Sequence, residues 1–203
     1  DEAQQSIANE SRRVLEARVT KDQLLPLLES TGRYHEGFWN TAKEQGWTAL
    51  AMPEDFDGLA LGLVELGLIA HQAGRTLSGA PFLTSSFGAA KAIEIYGSEA
   101  QKAKWLPGLA SGESIGTVAI TSGANLHFAA TPAEVLVEGE EAHAAALHIL
   151  ALQAVITAHE QTGGAEMLME TGRDYAVTRR AFGQVIGSFQ SVKHRIAELY
   201  ALV

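Results

Sequence analysis

The side chains that could do chemistry are scattered along this sequence. Seven histidines occur, but His143 and His148 are five residues apart and do not share a helix face, so no metal site is expected. Glu54 and Asp55 could act as an acid–base pair, although adjacent loop carboxylates are usually solvated. A Gly-x-Ser-x-Gly elbow, a Walker loop and a dinucleotide-binding glycine pattern are all absent. The sequence therefore gives no support to a hydrolase or a metalloenzyme.

A second group of candidate residues lies near the C-terminal end. Arg179 and Phe182 are three residues apart, and we predict them on one face where a long helix ends. A guanidinium group can donate two parallel hydrogen bonds to a phosphate. Taken alone, however, the pair could be a surface arginine beside a core phenylalanine. Gly183 and Gly187 are expected to serve the backbone of the turn that follows.

Composition narrows the class of protein. The chain has 203 residues, of which 46% are hydrophobic and 19% charged, so it can bury a sizeable core. Its net charge is −9 and its basic residues form no run longer than two, which argues against a nucleic-acid partner. It has no cysteine, which removes disulfides and thiolate chemistry.

Targeting signals are not evident in the sequence. The N-terminus lacks a basic-then-apolar signal pattern. The longest apolar run, residues 144–158, is broken by polar residues and falls short of the roughly 20 apolar residues that span a bilayer. We therefore expect a cytoplasmic protein with no membrane partner.

Hydrophobic periodicity predicts a mainly helical chain. A β-branched stretch at Ser114–Thr121 predicts a strand, and residues 128–137 could hold one or two more. Gly163 and Gly164 lie near the centre of the longest helix and could permit a bend or a close helix crossing. The predicted helices cover residues 3–18, 33–46, 61–77, 85–96, 98 to about 106, 141–180 and 191 to the end.

Three motifs resemble the acyl-CoA dehydrogenase family. Residues 175–198 read YAVTRRAFGQVIGSFQSVKHRIAE, which resembles the family's Tyr-Ala-x-x-Arg-x-x-Phe-Gly-x-x-Ile followed by Phe-Gln. Residues 53–58, PEDFDG, resemble the loop Pro-Glu-Glu-Tyr-Gly-Gly with two substitutions, and residues 101–113, QKAKWLPGLASGE, resemble the segment leading into the middle domain. The resemblance implies a mainly α fold in three parts. They are an N-terminal helical domain at 1–112, a remnant of a small middle β-domain at 113–139, and the first helices of a C-terminal four-helix bundle at 140–203.

The resemblance also implies an FAD held between subunits. It assigns Arg179 to the pyrophosphate, Phe182 to an adenine or flavin contact, and Gln190 to the adenine or ribose. For Gln190 the alternative is an ordinary helix N-terminal residue in a turn. Thr121 matches the threonine of the family's Thr-Glu-Pro-x-x-Gly-Ser-Asp motif, whose Glu-Pro and Gly-Ser-Asp are missing here.

No catalytic base can be named from the sequence. Most branches of the family carry a glutamate beyond the region matched here, and one branch places the base where this chain has Gln153, whose neutral amide cannot accept a proton. Three explanations stay open: ordered parts of a longer protein joined near 125–131, a shortened product, or a degenerate subunit of a hetero-oligomer.

The resemblance implies α,β-dehydrogenation of an acyl-CoA thioester. Electrons would pass to an electron-transferring flavoprotein, and the chain would form a homo- or hetero-oligomer. Straight-chain, branched and steroid side-chain substrates are all compatible. The alternatives are a non-catalytic subunit that supports FAD binding in a partner, and an acyl-CoA oxidase on the same scaffold.

Overall fold

The computed structural model describes residues 1–78, 81–119 and 134–203, and helices dominate all three ranges. The α-helices are α1 (Glu2–Arg18), α2 (Lys21–Leu28), α3 (Glu36–Glu44), α4 (Leu63–Thr76), α5 (Ala90–Tyr96), α6 (Glu99–Ala110), α7 (Glu140–Thr178) and α8 (Gln190–Leu202). The other elements are a π-helix (Leu83–Ala89), 3-10 turns (Trp47–Ala49, Glu54–Phe56 and Ile186–Ser188) and two strands, β1 (Arg180–Ala181) and β2 (Gln184–Val185). The prediction of a mainly helical chain is confirmed.

Capping residues explain several helix boundaries. Ser98 accepts a hydrogen bond from the Gln101 backbone N–H, and the Gln101 side chain accepts one from the Ser98 backbone, as a capping box requires. Gly46 follows α3 with φ 70°, a left-handed conformation that suits glycine. The predicted starts and stops at these positions are confirmed, although α6 continues through Pro107 to Ala110, past the predicted end near Leu106.

The main core lies where α1, α3, α4 and the π-helix meet. Phe38 is fully buried, and its ring contacts that of Phe82 edge-on at 5.8 Å between centroids. The largest fully buried side chains of the chain include Leu15, Phe38, Met52, Leu66, Ile69, Phe82, Phe87, Leu106 and Ile156. Because Ile156 belongs to α7, the core of the N-terminal helices is continuous with the long C-terminal helix.

The long helix α7 crosses α4 at close range. A Cβ added to Gly163 would lie 1.9 Å from the carbonyl oxygen of His71, and one added to Gly74 would lie 1.9 Å from that of Glu160. Only glycine allows the two backbones to approach this closely. The predicted close crossing is confirmed, and α7 runs unbroken for 39 residues.

Ion pairs centred on a buried arginine join α4 and α7 at the same crossing. Arg75 of α4 is only 7% exposed and donates to Glu166 at 2.6 Å and to Glu170 at 2.5 Å. Replacing both glutamates would leave the buried Arg75 guanidinium without a carboxylate, and an uncompensated buried charge typically costs about 3–5 kcal/mol. The glycines and this network together fix how α7 sits on the N-terminal helices.

The predicted β stretch is wrong where it can be checked. No strand forms over 114–119 or 134–137, while the rest of the predicted strands, including Thr121, lies outside the described residues. This segment instead forms hydrogen bonds to neighbouring helices. The Ser114 N–H donates to the Gly108 carbonyl of α6, and the Gly116 N–H donates to Ser85 Oγ of the π-helix. β-branched composition favours a strand only when a partner strand is available, and none lies beside this segment in the described parts of the chain.

The expectation that no segment is long enough to span a membrane needs correction. Helix α7 contains an 18-residue window of mean hydropathy 1.3, of which 17% is buried. By length and composition alone, this helix could cross a bilayer. The run considered from the sequence was shorter because it stopped at residue 158, whereas the helix continues to Thr178.

Candidate functional site

The C-terminal end of α7 leads directly into a tight β-hairpin. The helix ends at Thr178, and the Arg179 N–H donates to the Tyr175 carbonyl while its own backbone is already extended. Strands β1 and β2 then pair antiparallel, with Arg180 opposite Val185. The Ile186 N–H donates to the Arg179 carbonyl at 2.8 Å and closes the base of the hairpin. This places Arg179 at the junction of helix and hairpin.

The tip of the hairpin is a two-residue turn. Phe182 and Gly183 have φ values of 52° and 81°, so both adopt the positive φ that a type I′ turn requires. Glycine adopts this conformation readily, whereas for phenylalanine it costs about 1–2 kcal/mol. The Phe182 side chain is 94% exposed and touches Phe189 edge-on at 6.2 Å between ring centroids. A strained, exposed aromatic residue at a turn tip is typical of a binding contact.

The chain then turns back and starts α8. A Cβ on Gly187 would lie 2.9 Å from the Ala176 carbonyl oxygen, so this glycine allows the turn to lie against α7. Gln190 is the exposed first residue of α8, and no side chain caps this helix. Uncapped N–H groups at a helix N-terminus attract anions.

The structure groups three of the four predicted cofactor residues in this region. Arg179, Phe182 and Gln190 are all exposed and lie on the junction, hairpin tip and helix start that follow α7. Among the described residues, Arg179 has no carboxylate partner in a salt bridge. A free guanidinium, an exposed aromatic ring and an open helix N-terminus fit the phosphates and ring of a dinucleotide.

The sequence prediction was wrong about how Arg179 and Phe182 are held. They do not share a helix face, because α7 ends before Arg179 and the hairpin carries Phe182. Arg180 is a neighbouring exposed cation that the sequence reasoning did not single out, and it lies in β1. The fourth predicted residue, Thr121, lies outside the described residues.

Gln153 lies in the space between α7 and the π-helix. A Cβ added to Gly88 would be 2.4 Å from the Gln153 amide nitrogen, so this amide packs directly on the glycine. The side chain is half-buried, and its neutral amide offers no base. The prediction that this position supplies no proton acceptor agrees with its chemistry.

Acidic residues elsewhere do not form a reactive centre. Burial raises the pKa of Glu160, a half-buried carboxyl on α7. Glu54 and Asp55 are exposed, which confirms that they are solvated. No group of three or more His, Asp or Glu residues that could hold a metal ion occurs in the described ranges.

The N-terminal helices and the segment from α7 to α8 each match a known protein family. Residues 1–113 match the acyl-CoA dehydrogenase N-terminal domain, and residues 143–203 match the acyl-CoA dehydrogenase C-terminal domain. The chain belongs to the acyl-CoA dehydrogenase family, whose cofactor is FAD. The segment boundaries predicted at 112/113 and 139/140 stay predictions.

Individual relatives agree with this assignment. Acyl-CoA dehydrogenase IpdE2 of Mycobacterium tuberculosis is 29% identical over 201 residues, covering 84% of this chain and 62% of that relative. The ChsE4-ChsE5 complex of the same organism matches with a TM-score of 0.87 at 22% identity, covering 99% of this chain and 74% of that one. An FAD complex of a Bacillus anthracis acyl-CoA dehydrogenase has a TM-score of 0.81 at 20% identity, covering 98% of this chain and 48% of that one. The two structures show the shared fold, and this chain spans less than two thirds of the length of IpdE2.

Proposed function

We propose that this chain takes part in the FAD-dependent α,β-dehydrogenation of an acyl-CoA thioester and that its hairpin supplies one side of an FAD site. The observation that carries the proposal is the hairpin after α7, with Phe182 94% exposed at its tip. Arg179 at the base of the hairpin suits the pyrophosphate, and Gln190 suits the adenine or ribose. When bound, FAD accepts the hydride that leaves the β carbon of the substrate.

The exposure of these groups favours a site completed by a second subunit. A cofactor bound within one chain usually has most of its surface buried by that chain. Here the cofactor candidates point outward from α7 and α8, both of which leave many apolar side chains exposed. We therefore propose that the hairpin contacts the FAD of a neighbouring subunit.

A stripe of exposed residues along α7 supports oligomer formation. Its members recur at alternating spacings of four and three residues, the pattern of a helix that packs closely on another. They are Leu147, Ala151, Ala154, Ala158, Gln161, Ala165, Leu168, Gly172 and Tyr175. The small residues would let a partner helix approach closely, and we propose that helices of the complete bundle or of a partner cover this stripe.

We propose that the proton acceptor lies outside the described residues or on a partner. Gln153 is neutral and cannot accept the α proton. The role we propose for the described residues is to bind and orient the cofactor. Removal of the α proton is left to a base supplied elsewhere.

The first test is FAD affinity. We expect Arg179→Gln to weaken FAD binding about 10- to 100-fold, because a hydrogen bond to a charged group contributes about 1.5–3 kcal/mol. Arg33→Gln is the matched control, since Arg33 is an exposed arginine on the connection between α2 and α3. Equal FAD affinity in the two variants, measured by isothermal titration, would contradict the assignment of Arg179.

A non-catalytic subunit is the second candidate, favoured by the absence of a base at Gln153. Dehydrogenation of acyl-CoA thioesters with an artificial electron acceptor separates the two. Activity of this chain alone excludes the non-catalytic subunit, whereas flavin binding that appears only with a partner excludes a self-sufficient enzyme. Oxygen consumption with peroxide release would indicate an oxidase, and reduction of an electron-transferring flavoprotein would identify the acceptor we propose.

A further inference from the structure

A buried oxygen without a hydrogen bond lies at the crossing of α4 and α7. Gln72 is 8% exposed, and its amide oxygen Oε1 has no partner among the described residues. Such a buried polar atom is rare in folded proteins and destabilises the fold. A second arrangement of this side chain that satisfies the oxygen would therefore be favoured whenever a donor appears beside it.

The neighbouring His71 shows where such a donor can arise. The Gln72 amide nitrogen is 3.1 Å from Nδ1 of His71, and an amide NH₂ group can only donate. With the amide in this orientation Nδ1 is the acceptor, and the neutral ring then carries its proton on Nε2. Nε2 faces the carboxylate of Glu166 at 3.4 Å. Neutral His71 thus accepts from Gln72 on one side and faces an anion on the other.

A second proton on the ring would conflict with this arrangement. It binds at Nδ1, where the new N–H would face the NH₂ group of Gln72, donor against donor. A half-turn of the amide exchanges its nitrogen and oxygen, which have nearly the same size. Oε1 then accepts from Nδ1–H and gains a partner, while the NH₂ group takes the position that Oε1 had occupied.

We propose that His71 and Gln72 form a proton-operated amide switch at the α4–α7 crossing. In the neutral state the Gln72 NH₂ donates to Nδ1 of His71. After one proton is taken from solvent at Nδ1, the ring donates to Gln72 Oε1 and keeps its Nε2–H towards Glu166. No covalent bond other than the new N–H changes, and the switch does not involve the flavin.

The charges around His71 set the direction of the switch. Burial lowers the pKa of His71; Glu166 opposes this shift, whereas Arg75, His159 and Arg12 reinforce it. These groups face the ring from α1, α4 and α7. Neutral His71 is therefore the resting state at neutral pH, and mild acid adds one positive charge to the network around Arg75.

The decisive experiment is a histidine-ring NMR titration of the full chain, with the His71 signal assigned through its loss in His71→Asn. We expect Gln72→Leu to move the His71 midpoint to lower pH, because the variant loses the charge-assisted bond to the protonated ring. If the amide were fixed with its NH₂ towards Nδ1, its removal would relieve a repulsion and move the midpoint to higher pH. A higher or unchanged midpoint overturns the proposal.

A control variant and a second NMR signal test the same proposal independently. Gln5→Leu, the same change on the exposed surface of α1, is expected to leave the His71 midpoint unchanged. In the parent protein, which needs no substitution to fold, the side-chain amide signals of Gln72 are expected to titrate with the same midpoint as His71. Gln72 amide signals that stay constant through the His71 titration would also overturn the switch.

Discussion

Gly163 and Gly172 lie on the same helix, but only Gly163 sets how closely α7 approaches α4. In Gly163 the missing Cβ leaves room for the His71 carbonyl, whereas Gly172 on the same helix has nothing within 4 Å of where its Cβ would be. The first glycine is required by packing with backbone, which cannot rotate away. Within this chain the second has no such contact, and there it only lowers helix propensity.

We expect opposite effects from alanine at these two positions. Gly163→Ala is expected to lower the free energy of unfolding by about 2 kcal/mol or more, because α4 and α7 must move apart. Gly172→Ala, its matched control, is expected to raise it by about 0.5–1 kcal/mol through better helix propensity. Urea unfolding followed by circular dichroism measures both, and a stable Gly163→Ala variant would contradict the close crossing.

Glu160 gives a pH-dependent prediction. Because burial raises its pKa, the folded state holds this proton more tightly than the unfolded chain. The contribution of Glu160 to the free energy of unfolding is therefore fully present in acid, and it is lost as pH rises through the raised pKa. We expect Glu160→Gln to be more stable than the parent at about pH 7.5 but not at about pH 4.

The control for this prediction is Glu138→Gln, because Glu138 is exposed. Urea unfolding at both pH values should give a difference from the parent that changes with pH only for the Glu160 variant. The same difference at both pH values would show that ionisation of Glu160 does not cost stability.

At the scale of elements, the hairpin after α7 combines local strain with exposure. Phe182 occupies a left-handed position that asparagine adopts more easily, yet it buries almost no surface within the chain. Selection for folding alone would not favour phenylalanine there. We propose that a contact outside this chain accounts for it.

Phe182→Asn is therefore expected to separate hairpin stability from cofactor binding. We expect slower amide exchange at Ile186, whose N–H closes the hairpin, together with FAD affinity lowered roughly threefold to tenfold by loss of the aromatic contact. Phe182→Tyr, which keeps the ring, should retain the affinity. Unchanged FAD binding in Phe182→Asn would remove Phe182 from the proposed site.

The hairpin also shows where sequence reasoning stops. The motif around Arg179 and Phe182 identified the family, but two-residue strands are too short for a period-two pattern to reveal them. A positive φ at Phe182 is likewise opposed by its residue type. The strand predicted at Ser114–Thr121 fails over 114–119 because composition says nothing about whether a partner strand is present.

Long-range charge pairing is similarly hidden in the sequence. Arg75 pairs with Glu166 and Glu170, which are 91 and 95 residues away in the sequence. No local spacing of residues predicts such a contact. In contrast, Gly163 and Gly164 on an otherwise apolar helix indicated a bend or a close crossing, and the structure shows the close crossing. Local backbone requirements can be read from residue type, whereas the pairing of distant side chains depends on how the helices dock.

At the scale of the whole molecule, much apolar surface of α7 and α8 remains uncovered. Leu168 is 75% exposed, Tyr200 72% and Leu202 83%. Exposed apolar side chains of this kind suit the subunit contact that we propose. It lies on the same two helices that flank the hairpin, so the surface that would join subunits and the residues that would bind FAD are neighbours.

Native mass spectrometry of the protein incubated with FAD tests the central claim most directly. The account predicts that flavin is retained only on species containing at least two chains, and that Arg179→Gln loses flavin while Arg33→Gln keeps it. Flavin retained on a single chain, to the same extent in the parent and in Arg179→Gln, would contradict a site that the hairpin completes across a subunit interface.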